Sequence, residues 1–463
     1  TSRALDLLPS CADQDAERGL KLTRARASVE RRDAALAEVD AAQVLESAIE
    51  ERDVRQEAVA RRLLGVVAQQ HGDLPRAREE LTKSVSLLRT LGPEPDPELT
   101  TSLSDRGFVE VFGGSLEAAD AILEEAESMA AASDDRRRLA WIRQHQAWVA
   151  FLSGDTELAE ERLAVSSGLF DDLGDRSGAS WAQGLLAYVR FFERRFIDAE
   201  ELASTVRRDA VELGELWAPA MMDSLMASVR LWTGRFSDAE ELSRRALSGF
   251  RELNDRFGIV QALAPRMRAL VALGRNQEAE RSLEEALSLA DAFGDLAIPT
   301  MAAAGTAAHL GLGARAVALS EVALTRMLAM HADCSDARIT LALGLCQVGD
   351  SDRALAVLLE IRKPGPYSRA VTAVASAMSG MPDDALAAAD LVIDDSTATY
   401  LDEVLADIAA GAALMPTDAD AAHARLERAK EGATRAGDAA AIALATAASA
   451  ELGSEVETRA VQH

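Results

Sequence analysis

The sequence predicts an all-α protein, a right-handed α-solenoid of about ten to eleven helix-turn-helix repeats. The first observation behind this prediction is a motif, "GRFSDAEELSRRAL" at 234–247, whose relatives return about every forty residues. The second is composition: Ala and Leu dominate, aromatic residues make up only 4%, and long alternating runs of Val, Ile and Thr are missing. Self-similarity at such a period is typical of stacked helix pairs.

Each repeat is anchored on a turn residue that is predicted to separate its first helix from its second. Glycine suits this place because it takes the left-handed backbone conformation without a Cβ clash. Most neighbouring anchors are 40 residues apart, and the spacing shortens towards the C-terminus. The predicted anchors are Arg32, Gly72, Gly114, Gly154, Arg194, Gly234, Gly274, Gly313, Gly349, Gly380 and, more weakly, Pro416.

Small and apolar residues recur at fixed distances from the anchors. Small side chains let the two helices of a repeat approach closely, and an apolar residue two places after the anchor holds the turn to the core. The small residues are Gly65, Gly107, Ala147, Ala187 and Ala227 on first helices, and Ala77, Ala119, Ala159, Ala199, Ala239 and Ala279 on second helices. The apolar residues are Leu74, Leu116, Phe196 and Phe236.

Three segments are predicted along the chain. Residues 1–313 form the main array with the 40-residue period, and 314–436 form helical repeats with a shorter period. Residues 437–463 are expected to be a capping helix and a polar tail, because an Ala-rich stretch there gives way to polar residues. Pro364-Gly365-Pro366 interrupts the second segment.

The spacing of small residue, glycine and alanine in "LLGVVAQQHGDLPRAREEL" (63–81) resembles the tetratricopeptide repeat (TPR) family. The usual TPR period is 34 residues, so a period of 40 implies longer helices or turns. Such long variants resemble the C-terminal sensor arrays of bacterial signal-transduction ATPases, including maltose-activator-like regulators. The segment 4–33 is similar to the one that follows the ATPase module in those proteins. The chain begins at Thr1 rather than Met, and we expect it to be part of a longer protein.

Charge and cysteine content exclude several classes of partner. A net charge of −27 repels nucleic acids and anionic membrane surfaces. No apolar run is long enough to cross a bilayer. The three cysteines are scattered, which argues against a disulfide framework and favours a reducing cytoplasm.

Sequence signatures of enzymes are missing. There is no phosphate-binding loop, no HExxH or GxSxG motif, and no cluster of His and carboxylates with metal-ligand spacing. We therefore predict no catalytic residues, no metal and no cofactor.

Aromatic residues gather in the middle of the chain, with all five Trp at 141–232 and all eleven Phe at 108–293. The TPR resemblance implies that first helices line the concave face, and its register places a set of side chains there. They are Phe108, Phe112, Trp141, Gln144, Trp148, Phe151, Trp181, Tyr188, Phe191, Phe192 and Trp232. Arg143, Arg190, Arg230 and Arg268 lie on the same helices and are candidates for holding an anionic group, such as a peptide carboxylate.

Two interpretations of these rings remain open: they form the core between helices, or they form a binding groove. On the second, the chain is a non-enzymatic protein- or peptide-binding TPR module of a larger bacterial signalling or regulatory protein. An alternative is a small-molecule sensor array that regulates a linked ATPase, cyclase or transcription-factor domain. A further alternative is a scaffold that assembles with other copies of itself.

Overall fold

The computed structural model of the chain describes residues 14–92, 96–113, 115–292 and 297–462. Within these ranges the secondary structure is entirely helical, and the prediction of an all-α, right-handed solenoid is confirmed. Helices α1 to α22 form eleven consecutive pairs, and α23 follows them. The helices are α1 (Gln14–Glu30), α2 (Ala34–Glu51), α3 (Val54–Gln70), α4 (Leu74–Arg89), α5 (Pro97–Gly113), α6 (Leu116–Ala132), α7 (Arg136–Leu152), α8 (Thr156–Asp172), α9 (Arg176–Phe192), α10 (Phe196–Glu212), α11 (Trp217–Trp232), α12 (Phe236–Glu252), α13 (Arg256–Ala272), α14 (Asn276–Ala292), α15 (Ala297–His309), α16 (Gly313–Ala329), α17 (Ser335–Gln347), α18 (Ser351–Leu358), α19 (Pro366–Met378), α20 (Pro382–Ile393), α21 (Tyr400–Leu414), α22 (Ala419–Ala436) and α23 (Ala439–Gln462).

Each 40-residue repeat of the central array is divided into two halves of equal length. Residues with left-handed backbone recur every twenty residues, at the turns between repeats as well as within them. They are Asp134, Gly154, Gly174, Arg194, Gly214, Gly234, Asn254 and Gly274. Most helices between them have 17 residues, which leaves three for each turn. The 40-residue repeat is therefore two helix-and-turn units of equal length, and long helices explain why the period exceeds 34.

Many turns combine a left-handed residue with an aspartate that caps the next helix, as at Asp73, Asp135, Asp155, Asp175 and Asp255. At Gly154 (φ 85°) the backbone N–H donates to Phe151 O at 3.0 Å, which ends α7. Asp155 follows, and its carboxylate accepts from the backbone N–H of Leu158 at 3.0 Å, which begins α8. A side-chain cap of this kind contributes about 1 kcal/mol to helix stability.

One predicted anchor is wrong, and another lies outside the described residues. Gly313 is the first residue of α16, and the left-handed residue of that turn is Gly311 (φ 74°). A Cβ on Gly313 would lie 2.7 Å from Cβ of Gln347, so its glycine serves packing against α17. Gly114 is outside the described residues. Pro416 lies in the turn between α21 and α22.

Helices within a repeat approach closely at the predicted small residues. The alanines five places after the anchors are fully buried, and so are Ala147, Ala187 and Ala227. A Cβ added to Gly65 would lie 2.7 Å from Cγ of Leu81, and one on Gly107 would meet Leu123 at the same distance. The first helices of successive repeats contact one another, whereas the second helices diverge. First helices therefore line the inner surface of the solenoid, and second helices form its outer surface.

Successive superhelical turns touch. The Asp333 backbone N–H donates to Leu152 O at 2.8 Å, although the two residues lie several repeats apart. Arg194 donates to Thr397 O at 3.1 Å and also pairs with Asp402. These contacts join the central repeats to the C-terminal ones across the superhelix.

Candidate functional site

The predicted aromatic residues lie on first helices, and none is among the largest fully buried side chains. Those are leucines, Ile142 and three phenylalanines, Phe170, Phe236 and Phe250, which belong to second helices. Most of the predicted rings are partly buried, and Phe192 is 50% exposed. They divide into three groups with different surroundings.

The first group is a continuous line of rings, the aromatic strip, that crosses α5, α7 and α9. It runs in the order Phe108, Phe112, Trp148, Phe151, Phe192 and Phe191. The ring centroids of consecutive members are 5.2, 5.4, 5.9, 5.1 and 5.3 Å apart. All five contacts are edge-to-face, an arrangement that aromatic quadrupoles favour.

The two ends of the aromatic strip are covered. At one end Phe108 stacks on His145 at 4.5 Å, and Phe112 meets Phe257 of a later repeat at 5.8 Å. At the other end Phe191 packs against Phe196 at 5.5 Å. The accessible part of the strip is its middle, around Phe151 and Phe192.

The second group is a tryptophan stack closed by an arginine from the first repeat. Trp181 and Trp217 are parallel, with centroids 4.5 Å apart and an interplanar angle of 11°. The guanidinium of Arg32 lies 4.4 Å from the Trp217 centroid and 3.6 Å from Asp255 Oδ2. Burial lowers the pKa of Arg32, although the Asp255 charge opposes this. Trp141 joins the stack and also packs on the core ring Phe170 at 5.1 Å. We therefore assign this group to contacts between superhelical turns.

The third group is the Arg268 cluster, formed by Arg268, Trp232, Tyr367, His309 and Arg194. The Arg268 guanidinium lies 5.3 Å from the Trp232 centroid and 5.9 Å from that of Tyr367, and it donates to His309 Nε2 at 3.2 Å. His309 Nδ1 donates to Gly305 O at 2.6 Å. Burial, and then the Arg268 charge, lower the pKa of His309 to about 3, so its imidazole is neutral.

Within the Arg268 cluster, Arg194 is paired with Asp402, whereas no carboxylate among the described residues forms an ion pair with Arg268. Burial raises the pKa of Asp336, while the charges of Arg268 and Arg194 oppose the rise, so this carboxylate is near the cluster without pairing to Arg268. Open space lies over Gly305, where an added Cβ would meet nothing within 4 Å.

The other predicted arginines are held in ion pairs with preceding second helices. Arg143 pairs with Glu127, Arg190 with Glu160, and Arg230 with Glu200. These ion pairs connect neighbouring repeats. Because each arginine is already paired with a glutamate, its charge is not available to a ligand.

Two further predicted site residues serve packing. Gln144 is buried within α7. The Tyr188 hydroxyl donates to Met221 O at 3.4 Å, and burial raises the pKa of Tyr188.

Sequence reasoning did not include five residues that contact the predicted rings or Arg268, namely Arg32, Arg194, Trp217, His309 and Tyr367. One signal was present for two of them. Arg32 and Arg194 occupy anchor positions where glycine is usual, with φ of 55° and 63°. Residues other than glycine are uncommon in this conformation, and at these two positions the side chain contacts a distant repeat, at Asp255 and Asp402 respectively.

Solved structures of other proteins have a similar architecture. A Rap protein, solved in complex with competence and sporulation factor, is 16% identical with a TM-score of 0.60, over 75% of this chain and 97% of the Rap chain. The chain has the TPR fold. A chain of the APC/C hetero-tetramer Cut9–Hcn1 is 13% identical with a TM-score of 0.51, over 99% of both chains. Both TPR solenoids are similar to this chain in fold. No protein-family model matches the sequence, and no curated protein matches it at a significant level.

Two negative findings bear on the TPR solenoid. The described residues contain no group of three or more His, Cys, Asp or Glu placed to hold a metal ion. Among the helices in the described ranges, none is long and apolar enough to span a bilayer.

Proposed function

We propose that this chain is a non-enzymatic TPR module that binds a peptide or protein segment along its inner surface, within a larger bacterial signalling or regulatory protein of the cytoplasm. The observation that carries the proposal is the aromatic strip: six rings in a continuous line on three successive first helices, of which four pack against the core and Phe192 is exposed. The Rap protein, which has a similar fold, was solved in complex with competence and sporulation factor, and this supports binding as the use of the fold.

The middle of the strip suits a segment with apolar side chains. Phe192 is 50% exposed, and its neighbour Phe151 lies between Trp148 and Phe192 in edge-to-face contact with both. Rings that are fixed before binding lose little entropy when a partner covers them, which is why aromatic residues dominate binding energetics at interfaces.

The Arg268 cluster suits an anionic group of the bound segment. Arg268 is fixed between Trp232 and Tyr367, and the neutral His309 leaves its positive charge uncompensated. A carboxylate of the bound segment would pair with this guanidinium. The segment we propose therefore carries apolar residues for the strip and an acidic group for Arg268.

Peptides selected from a random display library on the whole chain would test the proposal. Affinities would be measured by fluorescence anisotropy of labelled peptides. Phe151→Ala and Phe192→Ala should each weaken the selected peptides by about tenfold, or about 1.4 kcal/mol. The matched control is Ile197→Ala, since Ile197 is 75% exposed on the outer helix α10. Peptides that respond to Ile197→Ala and not to the two phenylalanine changes would contradict the proposal.

A small-molecule sensor is a second candidate, and the enclosure of the Arg268 cluster favours it. Trp232 and Tyr367 come from different superhelical turns and meet at 5.0 Å, so a compact anionic ligand would be gripped from two sides. Binding of such a ligand should be lost in Arg268→Gln and unaffected by Phe192→Ala. A peptide that reaches both sites should respond to both changes.

A further inference from the structure

The outer surface carries a cleft of about 920 Å³ between α8 and α10, with α9 as its floor. Its lining runs over about three helical turns of each wall, from Glu160 to Asp171 on α8 and from Arg195 to Thr205 on α10. The centre of the lining is small or apolar, with Ala164, Gly168, Leu186 and Leu202. The cleft is separate from the aromatic strip, because it opens between second helices.

At the next junction along the solenoid, the corresponding place is filled by ion pairs. There, Asp223 of α11 accepts from Arg207 of α10 at 2.8 Å and from Arg245 of α12 at 2.5 Å. This three-residue bridge ties neighbouring second helices together over the first helix between them. The residues forty positions earlier are Ser167, Gln183 and Thr205, and all three line the cleft.

The preceding junction is filled as well. Forty positions before Ser167 and Gln183 are Glu127 and Arg143, which form an ion pair. Of these three successive junctions, only the one around α9 has uncharged, short side chains at the bridging positions. The cleft is open because the bridge is missing there.

Two features of the cleft lack an explanation within the chain. Gly168 lies inside α8, where glycine is less favourable than alanine, yet an added Cβ would meet nothing within 4 Å. The Gln183 amide on the floor makes no hydrogen bond to any described residue. A docked partner would approach the α8 backbone closely at Gly168 and would form a hydrogen bond with the Gln183 amide.

The charge around the cleft is negative. Its lining includes four carboxylates and two arginines, and the arginines pair with Glu160 and Asp198. The two remaining carboxylates, Asp171 and Glu201, are exposed and form no ion pair with a described residue. A partner with basic residues flanking its contact face would complement this rim.

We propose that this outer cleft docks a basic amphipathic helix of a partner protein. Small apolar residues of that helix would lie on Ala164 and Gly168, since small contacts allow helix axes to approach within about 8–10 Å. Lys or Arg beside them would pair with Asp171 and Glu201, and Gln183 would bond to a polar group of the helix. A helix of about three turns matches the length of the lining.

The test transplants the neighbouring bridge into the cleft. The triple variant Ser167→Arg, Gln183→Asp, Thr205→Arg places the residues of the Asp223 bridge forty positions earlier. The probe is a synthetic 18-residue helix with Ala and Leu on one face and Lys on the other, and its control has Glu in place of Lys. Wild type should bind the Lys probe saturably, and the triple variant should bind it more weakly by about tenfold or more. Phe192→Ala should leave this binding unchanged, which separates the cleft from the inner surface.

Three results would overturn the proposal: equal binding by the triple variant, equal binding of the Glu probe, or no saturable binding by wild type up to about 1 mM. Circular dichroism and thermal unfolding would establish that the triple variant is folded. If it is not, Gly168→Trp provides a second block, because its indole would occupy the open space over α8. Undiminished binding to that variant would equally refute the docking site.

Discussion

Arg194 has an unfavourable left-handed backbone conformation and a stabilising ion pair through its side chain. Arg194→Gly relieves the first and removes the second, so its net effect shows which is larger. Its φ of 63° costs a non-glycine residue about 1 kcal/mol, which glycine would recover. Its guanidinium, however, pairs with the buried Asp402, and removing one partner of a buried ion pair costs about 3–5 kcal/mol. Asp402 retains bonds from the backbone N–H of Thr399 at 2.7 Å and from its hydroxyl at 2.9 Å, so the lower end applies. We expect a net loss of about 2 kcal/mol.

Arg52→Gly is the matched control, because Arg52 has φ of 59° and an exposed side chain. That change should alter stability by no more than about 1 kcal/mol, in the stabilising direction. Urea unfolding would be followed by circular dichroism and by tryptophan fluorescence, since the Trp232 ring lies 5.1 Å from the Arg194 guanidinium. Adding Asp402→Asn to Arg194→Gly should restore part of the loss. Equal effects of Arg194→Gly and Arg52→Gly would refute a stabilising contact between the superhelical turns.

Three further predictions concern pH, packing and the first repeat. His309 is neutral in the fold with a pKa of about 3, against 6.5 when unfolded, so the unfolded chain binds the proton first as pH falls. Protonation of His309 in the unfolded chain should therefore lower the free energy of unfolding by about 2 kcal/mol between pH 7 and pH 5. His309→Gln should remove this part of the pH dependence, as measured by urea unfolding at each pH. Gly178→Ala should destabilise the fold by about 1–3 kcal/mol, because the new Cβ would lie 2.3 Å from the Phe170 ring. Gly168→Ala should stabilise it by up to about 1 kcal/mol, because the new Cβ meets nothing within 4 Å. Thermal unfolding would measure both changes, and the reverse order of stability would contradict the packing described. Arg32→Ala should uncover the tryptophan stack and increase acrylamide quenching of fluorescence, and unchanged quenching would place Arg32 elsewhere in solution.

The repeat architecture could be predicted from the sequence, because residues within each repeat mark where its helices begin and end. Left-handed turns, small residues at helix crossings and the 40-residue spacing are local features, and the structure confirms the left-handed anchors at Gly72, Gly154, Arg194, Gly234 and Gly274. The finer division into equal 20-residue units was missed because Asp134 and Asn254 replace glycine at turns between repeats. Gly313 was misassigned because a glycine needed for packing resembles one needed for a turn.

The surroundings of the candidate site were less predictable, because they depend on residues far apart in the chain. Register placed the aromatic strip on first helices, but it could not show that Arg32 covers Trp217 or that Tyr367 meets Trp232. Such pairs recur at no fixed spacing, so no periodic pattern reveals them. The ion pairs of Arg143 and Arg190 were missed for a related reason, since each needs a glutamate at a matching height on the preceding second helix.

The contacts between superhelical turns also determine when the chain can finish folding during its synthesis. A solenoid whose repeats touch only their neighbours can fold as each repeat leaves the ribosome. Here the ion pair between Arg194 and Asp402 can form only after Asp402 has been synthesised, 208 residues later. At about 5–20 residues per second, the ribosome needs about 10 to 40 s to supply it. Trp232 lacks its contact with Tyr367 for much of that interval, so we expect the nascent chain to expose part of this aromatic surface for longer than one repeat takes to be synthesised.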